Sequence, residues 1–260
     1  MRRVIFNQKG GVGKSTITCN LAAISAAEGV KTLVIDLDVQ GNSTQYLLGG
    51  KVADADATIA LFFKDTLSLN PFAKNQTYTL DSLIQETPFP NLSILPSHAE
   101  LEPLQSRLEA RHKIYKLREA LDVLKGYDRI YIDTPPVLNF FSRSALIAAQ
   151  RCLIPFDCDA FSREALYSLL EALAEVKADH NQGLSIEGVV VNQFQSRARL
   201  PQQLVDELLK EGHPLLKTHI SPSVKVRESH SLSKPLIHSE PKHRITEEFR
   251  ALHKELHPEG

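Results

Sequence analysis

The sequence predicts a doubly wound α/β fold, a mostly parallel sheet flanked by helices, and three observations predict it. Short β-rich runs alternate with segments of helical spacing. Several of those runs are apolar throughout rather than alternating, as strands covered on both faces are. A glycine-rich turn stands between the first such run and the first helical segment.

The predicted strands fall at residues 4–6, 32–35, 92–95, 129–132, 152–156, 188–191 and 216–220. Between them, apolar residues recur in steps of three and four. Ile17, Leu21 and Ile24 do so, then Ile114, Leu117, Leu121 and Leu124, then Leu166, Leu169, Leu170 and Leu173. A last helix carries Ile245, Phe249, Leu252 and Leu256, and a short one is expected at 57–63. No repeat and no Gly-, Ser- or Pro-rich linker divides the chain, so residues 1–260 are expected to form a single domain. Residues 51–90 are the least regular part. Asn70-Pro71, Pro88 and Pro90 punctuate turns there, and a surface excursion is expected. Its Phe62, Phe63, Phe72 and Phe89 either cap the sheet edge or form a partner site.

Composition narrows the possible functions. With 42% hydrophobic and 23% charged residues, the chain is not wholly disordered. It has no apolar run of roughly 18 residues that would span a membrane. The apolar stretch after Met1-Arg2-Arg3 stops at Asn7, too early for a secretory signal. Lys and Arg total 30 against 31 Asp and Glu, so any nucleic-acid binding must come from a local patch. Three cysteines, Cys19, Cys152 and Cys158, are too few and scattered for a disulfide framework and suggest a reducing cytosol.

The strongest chemical signal is Asn7-Gln8-Lys9-Gly10-Gly11-Val12-Gly13-Lys14-Ser15-Thr16, directly after the first strand and before the first helix. Glycines let a turn curl so that successive N–H groups face phosphate oxygens, and the following helix start adds its positive dipole end. Lys14 can reach β- and γ-phosphates, and the Ser15 hydroxyl can ligate Mg²⁺. The loop departs from G-x-x-x-x-G-K-[ST], because Gln8 holds the first glycine position and an extra lysine, Lys9, precedes the glycine pair. A second lysine here is costly without anions, so Lys9 is suited to phosphates held by a second subunit. Asp36 and Asp38 close the second strand and Asp133 closes the strand at 129–132, at the sheet edge where ligands collect. Such carboxylates can hold Mg²⁺ or position a water.

Lys-Gly-Gly-Val-Gly-Lys-Ser resembles the deviant Walker A motif of ParA/MinD-type ATPases. The resemblance continues in Val34-Ile35-Asp36-Leu37-Asp38-Val39-Gln40-Gly41-Asn42-Ser43-Thr44 and in Tyr127-Asp128-Arg129-Ile130-Tyr131-Ile132-Asp133-Thr134-Pro135-Pro136, nearest to the Soj-like ParA branch. It implies a P-loop NTPase that binds ATP and Mg²⁺ through Lys9, Gly10, Gly11, Val12, Gly13, Lys14, Ser15 and Thr16, with Lys9, Lys14 and Asp38 as catalytic residues. Asp38 would lie beside the attacking water, Ser15 and Asp133 would serve the metal, Asn192 would contact adenine and Pro222 would lie against it. It further implies a homodimer that sandwiches ATP with Lys9 acting across it, and slow hydrolysis stimulated by a ParB-like or other partner. The ATP state would bind duplex DNA without sequence preference through Arg197, Arg199, Lys225 and Arg227, and would segregate or position a plasmid, chromosome region or protein cargo. The protein is then expected in the cytoplasm, associated with the nucleoid. Another reading is a nucleotide-dependent adaptor for a protein or membrane partner with no DNA role.

Other features are assigned no chemistry. His253 and His257 are spaced for a metal but lack a third ligand, so a solvated or capping role is expected. The MinD branch anchors to membranes by a basic amphipathic tail. Here the terminal helix has mixed charge and is expected to pack on the sheet, with no stable membrane anchor. Cys152 and Cys158 suggest the cluster of the nitrogenase iron protein, but structural thiols fit their setting better. Val39 stands where ParA relatives commonly have proline. Because the phosphate loop begins almost at Met1, no helix-turn-helix for operator binding is expected ahead of it.

Overall fold

The structure is a computed structural model that describes residues 1–68, 78–158 and 162–258. The expected turn at Asn70-Pro71 and Phe72 lie outside the described residues. In chain order the strands are β1 (Arg2–Ile5), β2 (Thr32–Asp36), β3 (Gln85–Glu86), β4 (Leu92–Leu95), β5 (Arg129–Asp133), β6 (Arg151–Asp157) and β7 (Ser185–Asn192). The helices are α1 (Lys14–Ala27), α2 (Asn42–Leu48), α3 (Ile59–Thr66), α4 (Leu101–Ala110), α5 (Lys116–Val123), α6 (Phe140–Ala148), α7 (Ser162–Asp179), α8 (Arg199–Lys210), α9 (Val224–Ser231), α10 (Leu236–Ser239) and α11 (Arg244–Leu256).

The strands form one sheet in the order β3-β4-β2-β5-β1-β6-β7. All pairs are parallel except the antiparallel β3–β4 pair at one edge. Alternate residues of each strand enter opposite cores. Val4, Leu33, Ile35, Ile130, Ile132 and Ile154 join one apolar cluster with α3 to α8. Ile5, Val34, Tyr131, Leu153 and Val190 join the other with α1, α2 and α11. Two covered faces explain why β2 reads as an unbroken apolar run, since all five of its residues are buried. Local signals fix several helix starts. Thr58 caps α3, and Asn139 forms a capping box with Ser142 at α6.

Six of the seven predicted strands form. Residues 216–220 do not form a strand. The segment bonds to β7 only at intervals, with Leu216 N–H donating to Val189 O at 2.9 Å and Ile220 N–H to Val191 O at 2.9 Å, beside a single parallel bridge of Val189 with Leu215. In the excursion, Phe62 and Phe63 are buried in the core, Phe63 edge-on to Phe140 and Phe141, while Phe89 stacks on His238. Ile245, Phe249, Leu252 and Leu256 of α11 are buried with α1, and no helix among the described residues is long and apolar enough to cross a membrane.

His253 and His257 lie beneath the sheet's other end. His253 is buried rather than solvated, and its Nδ1 lies 3.4 Å from Glu28 Oε1. His253 Nε2 sits 2.9 Å from Ser25 Oγ and 3.0 Å from the Arg129 guanidinium, and His257 Nε2 is 3.2 Å from Arg3. Arg3 itself is fully buried against Glu187, whose carboxyl is held below its ordinary range although burial opposes this. Cys152 is fully buried within β6.

Candidate nucleotide site

The chain crosses from one side of β1 to the other, with β5 on one flank and β6 on the other, so a crevice opens above β1's carboxyl end. The glycine-rich loop fills that point. Asn7 fixes its entry, donating from Nδ2 to Pro155 O at 2.7 Å and accepting the Lys9 N–H at 2.9 Å. Gly11 and Gly13 then take φ of 77° and 91°, which other residues rarely adopt. The first helical bond of α1 runs from Ile17 N–H to Gly13 O, so the N–H groups of Lys14, Ser15 and Thr16 have no helical acceptor and face the loop's mouth. Lys14 is buried, with Nζ donating 3.0 Å to Lys9 O.

Three carboxylates surround this loop. Asp36 and Asp133 lie opposite each other in the β2–β5 register and are fully buried. β2 ends at Asp36, so strand alternation no longer governs where Asp38 points. Asp36 Oδ2 accepts the N–H and the hydroxyl of Thr44, both at 2.8 Å, and its Oδ1 accepts the Asp38 N–H at 3.1 Å. Asp36 therefore shapes the turn that presents Asp38. That turn is tied further by Ser97 Oγ, which donates to Asp38 O at 2.6 Å, and by the Gln40 N–H on Asp38 Oδ1 at 3.0 Å. Asp133 accepts the Ser43 hydroxyl at 2.7 Å and a hydrogen bond from Ser15.

Burial, and then the facing Asp133, push the Asp36 carboxyl up. Burial raises Asp133 as well, opposed by the Ser15 and Ser43 hydroxyls. Asp38 is also raised by burial, against the Gln40 N–H and Lys14. Lys14 is lowered by burial, with Asp133 and Asp38 opposing. Two buried acids, Asp133 and Asp38, face the one buried ammonium of Lys14, so a divalent cation beside them would favour their charged forms, and the oxygen-only donors suit magnesium. The residues present therefore fit the metal: Ser15 would hold it directly, and Asp133, which accepts a hydrogen bond from Ser15, would act through it.

A cavity of about 510 Å³ opens beside the loop. Gly11, Gly13, Thr16, Asn192, Pro222 and Phe249 are among its lining residues, so Asn192 and Pro222 border one cavity. The Asn192 amide has a further task that the sequence does not reveal. Its Nδ2 donates to Val12 O at 2.9 Å, which locks the loop to β7 and leaves Oδ1 as an acceptor at the cavity wall. A larger cavity, of about 850 Å³, lies between α3, α5 and residues 78–81, with no phosphate-loop residue in its lining.

The four candidate DNA cations separate. Arg197 and Arg199 are exposed before and at the start of α8, and Arg227 is exposed at the cavity's rim. Lys225 is held by Glu228 at 2.9 Å and Glu240 at 2.7 Å. Sequence reasoning also missed a polar relay beneath the loop. Thr16 Oγ1 lies 2.9 Å from His230 Nε2, and His230 stacks on Tyr46 of α2 with centroids 4.0 Å apart. Thr16 closes the loop motif and was visible. Its partner, 214 residues away, was not.

The AAA domain family matches residues 3–186. The chain is 33% identical to the sporulation initiation inhibitor protein Soj of Bacillus subtilis over 98% of both proteins. It is 31% identical to the chromosome-partitioning ATPase Soj of Treponema pallidum over 90% of this chain and 87% of that one. Among solved structures, apo McdA of Cyanothece superposes with a TM-score of 0.83 at 23% identity, covering 98% of both chains.

Proposed function

The chain belongs to the Soj/ParA family of chromosome-partitioning ATPases, and on that premise we propose that it is an ATP-driven dimerisation switch that binds duplex DNA in its ATP state. The observation that carries the reading is the convergence of the glycine turn, Asp38 and Asp133 on the buried Lys14. Such a centre has little use except around a bound polyphosphate. Loop N–H groups and Lys14 hold the phosphates, and Ser15 with Asp133 serves Mg²⁺. Bound magnesium supplies neutralisation of the phosphate charge. Asp38, steadied by Gln40 and Ser97, orients the attacking water. The base lies in the cavity between Asn192 and Pro222, where Asn192 Oδ1 accepts from the 6-amino group of adenine, a position at which guanine carries a carbonyl oxygen.

Lys9 belongs to the same turn and reaches phosphates held by a second copy, so ATP joins two subunits and loss of the γ-phosphate releases them. α2 and the residues after Asp133 hang on the carboxylates around the γ-phosphate, through Thr44 on Asp36 and Thr134 N–H on Asp133 at 3.1 Å, and act as its switches. Arg197, Arg199 and Arg227 contact DNA phosphates without reading bases, and dimerisation doubles that patch. A ParB-like or other partner stimulates turnover, and the switch positions plasmid, chromosomal or protein cargo on the nucleoid in the cytoplasm.

Lys225, already neutralised by two glutamates, favours a smaller DNA patch than the sequence offered, and to that extent the adaptor reading. A gel-shift titration of random duplex at low salt separates the two. DNA binding with ATP and Mg²⁺ but not with ADP supports the switch. Equal, negligible binding in every nucleotide state supports the adaptor.

A further inference from the structure

The segment that fails to become a strand shows how the base cavity is built. Residues 214–221 run beside β7, and that side takes only part of their backbone hydrogen bonding. Val189 N–H donates to Pro214 O at 2.8 Å, Leu216 N–H to Val189 O, Ile220 N–H to Val191 O, and Phe194 N–H to Ile220 O at 2.9 Å. A further strand would normally satisfy the N–H groups on the other side. Two carboxylates of α11 do so instead. Glu255 accepts Lys217 N–H at 2.7 Å and Thr218 N–H at 2.9 Å. These donors hold its carboxyl below its ordinary range against the opposing effect of burial. Glu248 accepts the Ser221 N–H at 2.7 Å on one oxygen and the Ser221 hydroxyl at 2.9 Å on the other.

Ser221 is the residue before Pro222, which has no N–H of its own. Ser221 and Pro222 both line the base cavity, and so does Phe249, the neighbour of Glu248 on α11 and almost fully buried. Phe249 roots this turn of the helix in the core, and Glu248, with only 16% of its side chain exposed, reaches from it to the loop. Arg244, one turn earlier, donates from Nε to Glu248 Oε1 at 2.9 Å and keeps that carboxylate in place.

We propose that Glu248, seconded by Glu255, is a positioning residue for the nucleobase: it stands in for a missing strand, fixes the loop carrying Pro222, and so sets affinity for the adenosine part of the nucleotide while leaving phosphate capture untouched. The C-terminal helix is then part of the nucleotide site, although it belongs to neither the phosphate loop nor the switches. This inference rests on the assignment of the base to the cavity between Asn192 and Pro222, and one experiment tells the two apart.

Calorimetry with the full chain compares ATP, ADP and inorganic tripolyphosphate, each with Mg²⁺, for wild type, Glu248→Ala and Glu248→Gln. Wild type should bind ATP more tightly than tripolyphosphate. Glu248→Ala should lose about tenfold for both ATP and ADP, the worth of roughly one charge-assisted hydrogen bond, with tripolyphosphate unchanged. Glu248→Gln should lose less than Glu248→Ala, because its carbonyl accepts the Ser221 N–H while its amide donates to the hydroxyl and gives up only the bond from Arg244. A wild type that prefers neither ATP nor tripolyphosphate overturns the base assignment and the inference with it. If wild type prefers ATP and Glu248→Ala keeps the full preference, the inference alone fails. Equal losses for ATP and tripolyphosphate in Glu248→Ala also overturn it, since they report general destabilisation.

Discussion

Gly13→Ala tests how tightly the phosphate loop is locked. The residue's φ is 91°, outside the range that side chains favour, which costs about 1–2 kcal/mol for any residue with a Cβ. A Cβ built there would also stand 2.3 Å from Asn192 Nδ2. The amide must turn away, and its bond to Val12 O is lost in a buried setting. A buried carbonyl without its donor costs about 1–3 kcal/mol. The total is about 2–5 kcal/mol, and the melting temperature should fall by about 5–15 °C for a chain of this size. Asn192→Ala loses the same hydrogen bond but leaves room for the methyl group. The double variant should therefore be less destabilised than the sum of the singles by about 2 kcal/mol, the shared loss counted once. Thermal and denaturant melts of the four proteins, apo and with ATP and Mg²⁺, measure this. Strict additivity, or a Gly13→Ala melting point within about 2 °C of wild type, would refute the reasoning.

Other outcomes follow from the same geometry. Asp38→Asn should slow ATP hydrolysis by about 100-fold or more while nucleotide affinity changes only a few-fold, as expected when a group orients water without holding phosphate; steady-state turnover and calorimetry measure the two. His253 is held neutral by burial first and then by His257, Arg129 and Arg3, which lower it to about 3. Its depressed folded value means that stability is fully present above the unfolded value of about 6.5 and is lost as pH falls toward the folded one. From pH 6.5 to 5 the loss is about 2 kcal/mol, and His253→Gln should flatten that slope in urea melts; an unchanged slope would contradict the assignment. For DNA, Arg199→Glu and Arg227→Glu should weaken binding by the ATP state and reduce its salt dependence, whereas Lys225→Ala should do little because Glu228 and Glu240 already neutralise that ammonium. Equal losses from all three variants would put Lys225 back in the patch.

The phosphate loop was legible in the sequence because its chemistry is local: glycines, lysine and serine lie within one turn of chain between a strand and a helix. The buried parallel strands were legible for a similar reason, since double coverage writes a continuous apolar run. Residues 216–220, Leu-Lys-Thr-His-Ile, are apolar only at their ends and lack a second strand neighbour, and the N–H groups of Lys217, Thr218 and the following Ser221 go to Glu255 and Glu248, more than 25 residues along the chain. β3 has only two residues, too few for any periodicity to show. α2 is a short polar helix whose start is set by Gly41 in a left-handed turn and by Thr44 bonding to Asp36. Asp36 was read beside Asp38 as a possible metal or water ligand, yet its carboxylate is spent on the turn. Lys225 looked like an exposed cation because its partner Glu240 lies on a different element. Beyond β3's brevity, what remained hidden was mostly a side chain committed to a distant backbone group or charge, as with Glu248, Glu255 and Glu240.

The most direct test of the switch is light scattering on wild type and Lys9→Ala with ATP, with ADP, and without nucleotide, all with Mg²⁺. Wild type should be dimeric with ATP and monomeric otherwise, and Lys9→Ala should bind ATP yet stay monomeric. A wild type whose mass ignores nucleotide, or a Lys9→Ala protein that dimerises normally with ATP, would contradict the account.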